Sequence, residues 1–163
     1  MSIHRAPKSL LHLLYSFTLK TSAIYNPRLN NNEEESAALW KVFCKEASIS
    51  GSLEEKVFDW IIATKSHKVG QDADNDLKLF LDFDLAVLGK PQDDYNVYAD
   101  NIRKEYIHYS DDSYRKGRIS VLQKLMKGDL FFTDTFINLF DKISRDNMSS
   151  EITKLQKSIA GGQ

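Results

Sequence analysis

The chain has very little of what marks secreted, membrane or nucleic-acid-binding proteins. Its 163 residues include one cysteine, Cys44, so no internal disulfide can form and a reducing compartment is expected. It has only three prolines and seven glycines, few breakers for a helical chain. No apolar run approaches the roughly 20 residues of a membrane span. Net charge is −1, which gives no overall case for a nucleic-acid partner. Acid is also missing locally. No Asp or Glu precedes Glu33, whereas Arg5, Lys8, Lys20 and Arg28 are all present, with Leu10, Leu11, Leu13 and Leu14 among Ser and Thr. That composition is that of a mitochondrial transit peptide, or of a basic first helix. The rest is ordinary for a globular protein, 42% apolar and 28% charged.

Most of the chain after residue 33 carries helical periodicity. A helix is expected over 33–48. Ser52 followed by Glu55 matches a capping box and opens a helix ending near His67. Gly70 to Asn75 reads as a polar loop. The next helix stops at Gly89, with Pro91 just beyond. Another covers about 94–109. Asp111-Asp112-Ser113 can cap the one that ends at Gly128, and Thr133 begins a last helix reaching Ile159. No alternating strand pattern of useful length is present. The expected architecture is an all-α bundle of irregular helices, with a divergent basic segment at 1–22, one helical domain at 23–159 and a tail at 160–163.

Four polar side chains fall inside apolar stripes of period 3.6. His67 continues Leu53, Val57, Trp60, Ile61 and Thr64. Asp84 lies among Leu77, Phe80, Leu81, Leu85 and Leu88. Arg118 interrupts Tyr114, Val121, Leu122 and Leu125, where Gly117 would let backbones approach closely. Asn147 follows Phe136, Phe140 and Ile143. Each alone is an ordinary satisfied core residue, but together they suggest a polar interior. Asp82, two residues from Asp84, points to the other side of the helix and reads as solvated. Imidazole with carboxylate suits a divalent metal, and Lys65 and Arg118 could hold a phosphate. A metal site normally needs three or four protein ligands, more than these residues supply.

Several segments resemble the metal-dependent phosphohydrolases of the HD superfamily. Ala23-Ile24-Tyr25-Asn26-Pro27 and Asn32-Glu33-Glu34-Glu35-Ser36-Ala37 are similar to the family's "VYDP…NEExSA" stretch. Thr64-Lys65-Ser66-His67 is similar to "TKxH", and Leu81-Asp82-Phe83-Asp84-Leu85-Ala86-Val87-Leu88-Gly89 to "LDxDLAxLG". Tyr95-Asn96-Val97-Tyr98, Ile102-Arg103-Lys104-Glu105-Tyr106 ("IRxEY"), Gly117-Arg118 and Arg145-Asp146-Asn147 follow in family order. The resemblance implies an HD-domain-like helical bundle, a divalent ion (Mn, Mg, Fe or Zn) and a nucleotide or small phosphate ester as substrate. It implies Asp84, or its neighbour Asp82, as the last metal-binding aspartate, with His67 as an accessory ligand. Glu33 and Asn147 would orient the ligands. The family's adjacent His-Asp pair should directly precede the "VYDP" segment, where this chain has Thr21-Ser22. His4 and His12 lie outside the expected context.

The expectation is therefore a family member truncated before its metal pair, or one that has diverged. In either case the metal is expected not to be retained. The readings left open are an HD-type phosphohydrolase, an inert pseudoenzyme that binds a ligand or partner, and a helical interaction domain in which Asp84 pairs with Arg118. A small phosphorylated molecule is the expected ligand, with neither nucleic acid nor membrane as partner. The expected location is cytoplasmic, or mitochondrial if the basic start is a leader.

Overall fold

The structure is a computed structural model that describes residue 26 and residues 28–161. The expectations placed on residues 1–22, including His4 and His12, and on the tail end at 162–163 lie outside the described residues. All regular structure among the described residues is helical, as the periodicity predicts. No helix among them is long and apolar enough to cross a membrane. By its contacts the chain forms two compact units, 1–84 and 85–163.

The described part of the first unit consists of α1 (Asn32–Glu46), α2 (Ser52–Thr64) and α3 (Asn75–Leu85). Glu33, Glu34 and Glu35 crowd the first turn of α1 and Lys45 the last, each matched to the helix dipole. Ser36, Ala37, Trp40 and Cys44 face inward. The Trp40 indole N–H donates to the Glu54 carbonyl at 2.9 Å, which fixes α1 against α2. Trp60 meets Phe80 with ring centroids 5.6 Å apart, linking α2 to α3. The capping box expected at Ser52 does not form. Gly51, at φ 80°, takes the cap position instead, and Ser52 is already helical. A left-handed residue at that point leaves the Ser52 hydroxyl no geometry for capping. A side-chain cap does form before α3, where the Asp74 carboxylate accepts from the Asp76 N–H at 3.0 Å.

The second unit follows with a 3₁₀ turn (Ala86–Gly89), α4 (Gln92–Glu105), α5 (Asp111–Met126), the short α6 (Asp134–Phe136), a π turn (Ile137–Asp141) and α7 (Lys142–Ala160). Ser110, rather than the acidic pair after it, caps α5, its hydroxyl accepting from the Ser113 N–H. Asp111 and Asp112 then occupy the dipole-favoured first turn. The π turn is a feature that period 3.6 does not predict. Ile143, expected inside, is exposed, because beyond that turn the buried face runs from Phe136 through Ser144, and Ser144, Asn147, Met148 and Glu151 form the inner face of α7.

Two polar side chains bind the backbone of this unit together. The Asn147 amide donates to the carbonyls of Leu88 at 2.8 Å and Lys90 at 2.9 Å, holding the 3₁₀ turn on α7. Arg145 donates to the carbonyls of Met126 and Gly128 at the end of α5, while its Nε bonds Asp141 at 2.8 Å. Gly89 makes the close approach possible, because a Cβ there would lie 2.7 Å from Phe140 Cδ1.

Candidate binding site

The polar interior of the second unit is built by α4, α5 and α7. Tyr95 and Tyr98 share one side of α4, as residues three apart must. Tyr114 and Arg118 stand one turn apart on α5. Glu151 comes one turn after Asn147 on α7. Arg118 meets Glu151 edge to edge, Nε donating to Oε1 at 2.8 Å and Nη2 to Oε2 at 3.1 Å. Both side chains are only 9% exposed. The Tyr95 hydroxyl donates to Glu151 Oε2 at 2.5 Å. The Tyr98 ring lies 5.6 Å from the guanidinium carbon of Arg118 and adds a cation–π contact.

Burial alone would lower the Arg118 pKa, but the hydrogen bonds and charge of Glu151 outweigh it, and the group is held above its ordinary value. Burial, reinforced by the bond to Glu151, pushes the Tyr95 phenol well above its usual range. Tyr98 moves upward too, chiefly through burial. The cluster is thus a fixed guanidinium–carboxylate pair among phenols that stay protonated.

A cavity of about 360 Å³ opens beside this pair between α4 and α5, walled by Tyr106, Tyr109 and Tyr114. A second, of about 510 Å³, lies on the other side of Tyr114 and carries charges of both signs, among them Arg103, Asp111, Arg115 and Lys154. Arg103 pairs with Asp111 at 2.6 Å and places its guanidinium 4.7 Å from the Tyr114 ring. Asp111 also meets Arg115 at 3.4 Å, and the Arg103 bond first, then both positive charges, hold its carboxyl below the usual carboxylate value.

The residues singled out in the sequence divide between the two units. In the first, Asp82 is completely buried and Asp84 only half-buried, which reverses the expected order of the two. His67 is not part of a helical stripe. Helix α2 ends at Thr64, and His67 sits three residues on, half-buried, at φ 48°. This left-handed conformation is one that histidine tolerates better than most side chains. Lys65 is largely exposed and bonds Glu34 Oε1 and the Asn30 carbonyl. Glu33 is half-buried in the first turn of α1. Among the described residues, no group of three or more His, Cys, Asp or Glu side chains could hold a metal ion.

In the second unit, Arg118 points inward as its stripe predicts, its side chain 9% exposed, but its companion Val121 is 52% exposed. Gly117 serves no close backbone approach, since a Cβ there would meet nothing within 4 Å. Glu151 is not among the residues that the sequence pattern singles out, although the stripe through Asn147 extends one turn to it and that continuation is the available signal. Comparison with protein-family models, curated proteins and solved structures gives no match.

Proposed function

We propose that the chain is a relative of the HD-type metal-dependent phosphohydrolases whose own role is to bind a ligand or partner, without turnover of a phosphate ester. The resemblance carried by "TKxH", "LDxDLAxLG" and "IRxEY" supports the kinship. The observation that carries the binding role is the state of Arg118. A guanidinium recognises phosphate through paired N–H donors, and this one has given such an edge to Glu151 in a buried pair. Lys65, the other candidate phosphate holder, is likewise engaged by a carboxylate.

The divalent ion that the family implies does not fit the described residues. Fewer than three ligand-type side chains converge anywhere among them, below the usual count. A second reading, hydrolysis of a nucleotide or small phosphate ester, draws support from Asp82. It is fully buried in the run where the resemblance places the metal-binding aspartate. One experiment separates the two: elemental analysis of protein purified without chelator, paired with phosphatase assays in Mn and in Mg. The binding role expects no stoichiometric metal and no turnover above background. A ratio near one metal per chain with metal-dependent turnover overturns it.

A further inference from the structure

Helix α5 carries a glycine that nothing inside the molecule requires. Gly117 lies near the middle of the 16-residue helix Asp111–Met126. A glycine there costs about 1 kcal/mol relative to alanine. Such a residue usually admits a neighbouring backbone or adopts a positive φ. Here φ is not positive, and a Cβ would find open space. Gly117 also lines the 360 Å³ cavity between α4 and α5.

The other walls say what the space would accept. Tyr106, Tyr109 and Tyr114 supply flat faces, and Ile102 and Val121 supply apolar edges. The tyrosines are arranged as neighbouring tilted or stacked rings, Tyr106 to Tyr109 at 6.2 Å and Tyr106 to Tyr114 at 6.4 Å between centroids. Such faces attract another ring. The charged residue on the wall, Arg118, already has its charge answered by Glu151. The Ser113 hydroxyl is the small polar group at the rim, and it accepts a bond from Ser110. The volume falls within the range of about 300–1,000 Å³ usual for small-molecule pockets.

We infer that this cavity binds a planar, uncharged aromatic molecule stacked against the tyrosine faces that wall it, and that Gly117 is glycine to leave room for it. The inference rests on the binding role above and names its ligand class. Tyr109 is 45% exposed and Val121 52%, so the ring would enter directly from solvent and cover them.

The test uses 2-naphthol as the neutral ring and 2-naphthyl phosphate as its anionic counterpart. Both are titrated into the full chain by calorimetry, with backbone amide shifts mapping the site. The naphthol should bind and shift amides within 102–121. Gly117→Leu, which fills the space, should weaken binding at least about tenfold. Gly117→Ala, which only adds a methyl group to a helix, should raise Tm by about 2–4 °C while also weakening binding. That rise shows the loss is not misfolding, and the alanine variant decides the matter alone should the leucine variant fail to fold. Equal binding to wild type and the folded variants overturns the inference, as does no naphthol binding at all. Binding of the phosphate without the naphthol overturns it too, and leaves a phosphate-ester ligand standing. The binding role itself fails separately, by metal content and turnover.

Discussion

The two units put their charges to different uses. In the first, the ion pairs lie at the edge. Lys56 with Asp74 and Lys65 with Glu34 are each 41–48% exposed. They tether loops, while contacts such as Trp40 on Glu54 and Trp60 on Phe80 hold the helices. In the second, exposed pairs such as Lys116 with Asp112 and Lys142 with Asp146 are joined by a guanidinium–carboxylate pair at 9% exposure that is itself part of the interior. An exposed pair is screened and replaceable, whereas a buried pair has been desolvated and neither member can be removed alone. The position of a charge, more than its chemistry, therefore decides what it contributes. Conformational specificity should depend on charge in the second unit and on shape in the first.

The sharpest way to break that contrast is to remove one buried partner. Glu151→Ala leaves Arg118 buried without its carboxylate and removes the acceptor of the Tyr95 hydroxyl. The expected loss is about 3–5 kcal/mol of unfolding free energy, read from urea melts. Arg118→Met combined with Glu151→Leu and Tyr95→Phe should instead come within about 1 kcal/mol of wild type, because replacing all three hydrogen-bonded groups by apolar ones leaves no buried donor or acceptor unpaired. A triple variant as damaged as the single would show that the cluster does more than satisfy itself.

Next in size are the contacts that hold the 3₁₀ turn. Asn147→Ala leaves the Leu88 and Lys90 carbonyls without their donor and should cost about 1–3 kcal/mol. Gly89→Ala drives a methyl group into Phe140 and should cost a similar amount, about 1–3 kcal/mol, by overpacking. If neither variant lowers the urea midpoint, the Ala86–Gly89 turn is not seated on α7 as described. These effects should resist salt, since no exposed charge is involved.

How much of this was legible beforehand depended on the regularity of each helix. The all-α class and the approximate positions of the helices followed from period 3.6 and from breakers such as Gly51, Gly89 and Pro91. The inward direction of Arg118 and Asn147 followed from the same stripes. The errors came where winding changes. Past the π turn at Ile137–Asp141 the buried face runs through Ser144 rather than Ile143, and its continuation from Asn147 reaches Glu151. The end of α2 at Thr64 takes His67 out of the stripe that seemed to carry it. Asp82 lies on the side of its helix away from Asp84, where a single apolar stripe predicts solvent, yet it is fully buried. Partners are harder to read than directions. A stripe says that Arg118 points inward, but only the fold brings α7 against α5 and so supplies Glu151.

The smallest predicted effect tests the exposed side of the comparison. Asp74 pairs with Lys56 and also accepts from the Asp76 N–H. Substitution by Asn keeps a good capping side chain and removes the charge, so Asp74→Asn isolates the ion pair. The Lys56 hydrogen bond, then the backbone bond, hold the Asp74 carboxyl below its ordinary value. A depressed carboxylate stabilises the fold above its unfolded-state pKa of about 3.9, and that contribution is lost as the pH falls through the folded value. Wild type should therefore exceed Asp74→Asn by no more than about 1 kcal/mol near neutral pH. The gap should close as urea melts are repeated toward about pH 3, and it should close at neutral pH in about 1 M salt, where the Debye length is only about 3 Å. A gap that persists in acid or in salt would mean that the charge of Asp74 is not its source and that Asn does not reproduce the Asp74 cap. A gap of several kcal/mol would put this pair in the class of Arg118 and Glu151, and an interior charge pair would no longer set the second unit apart from the first.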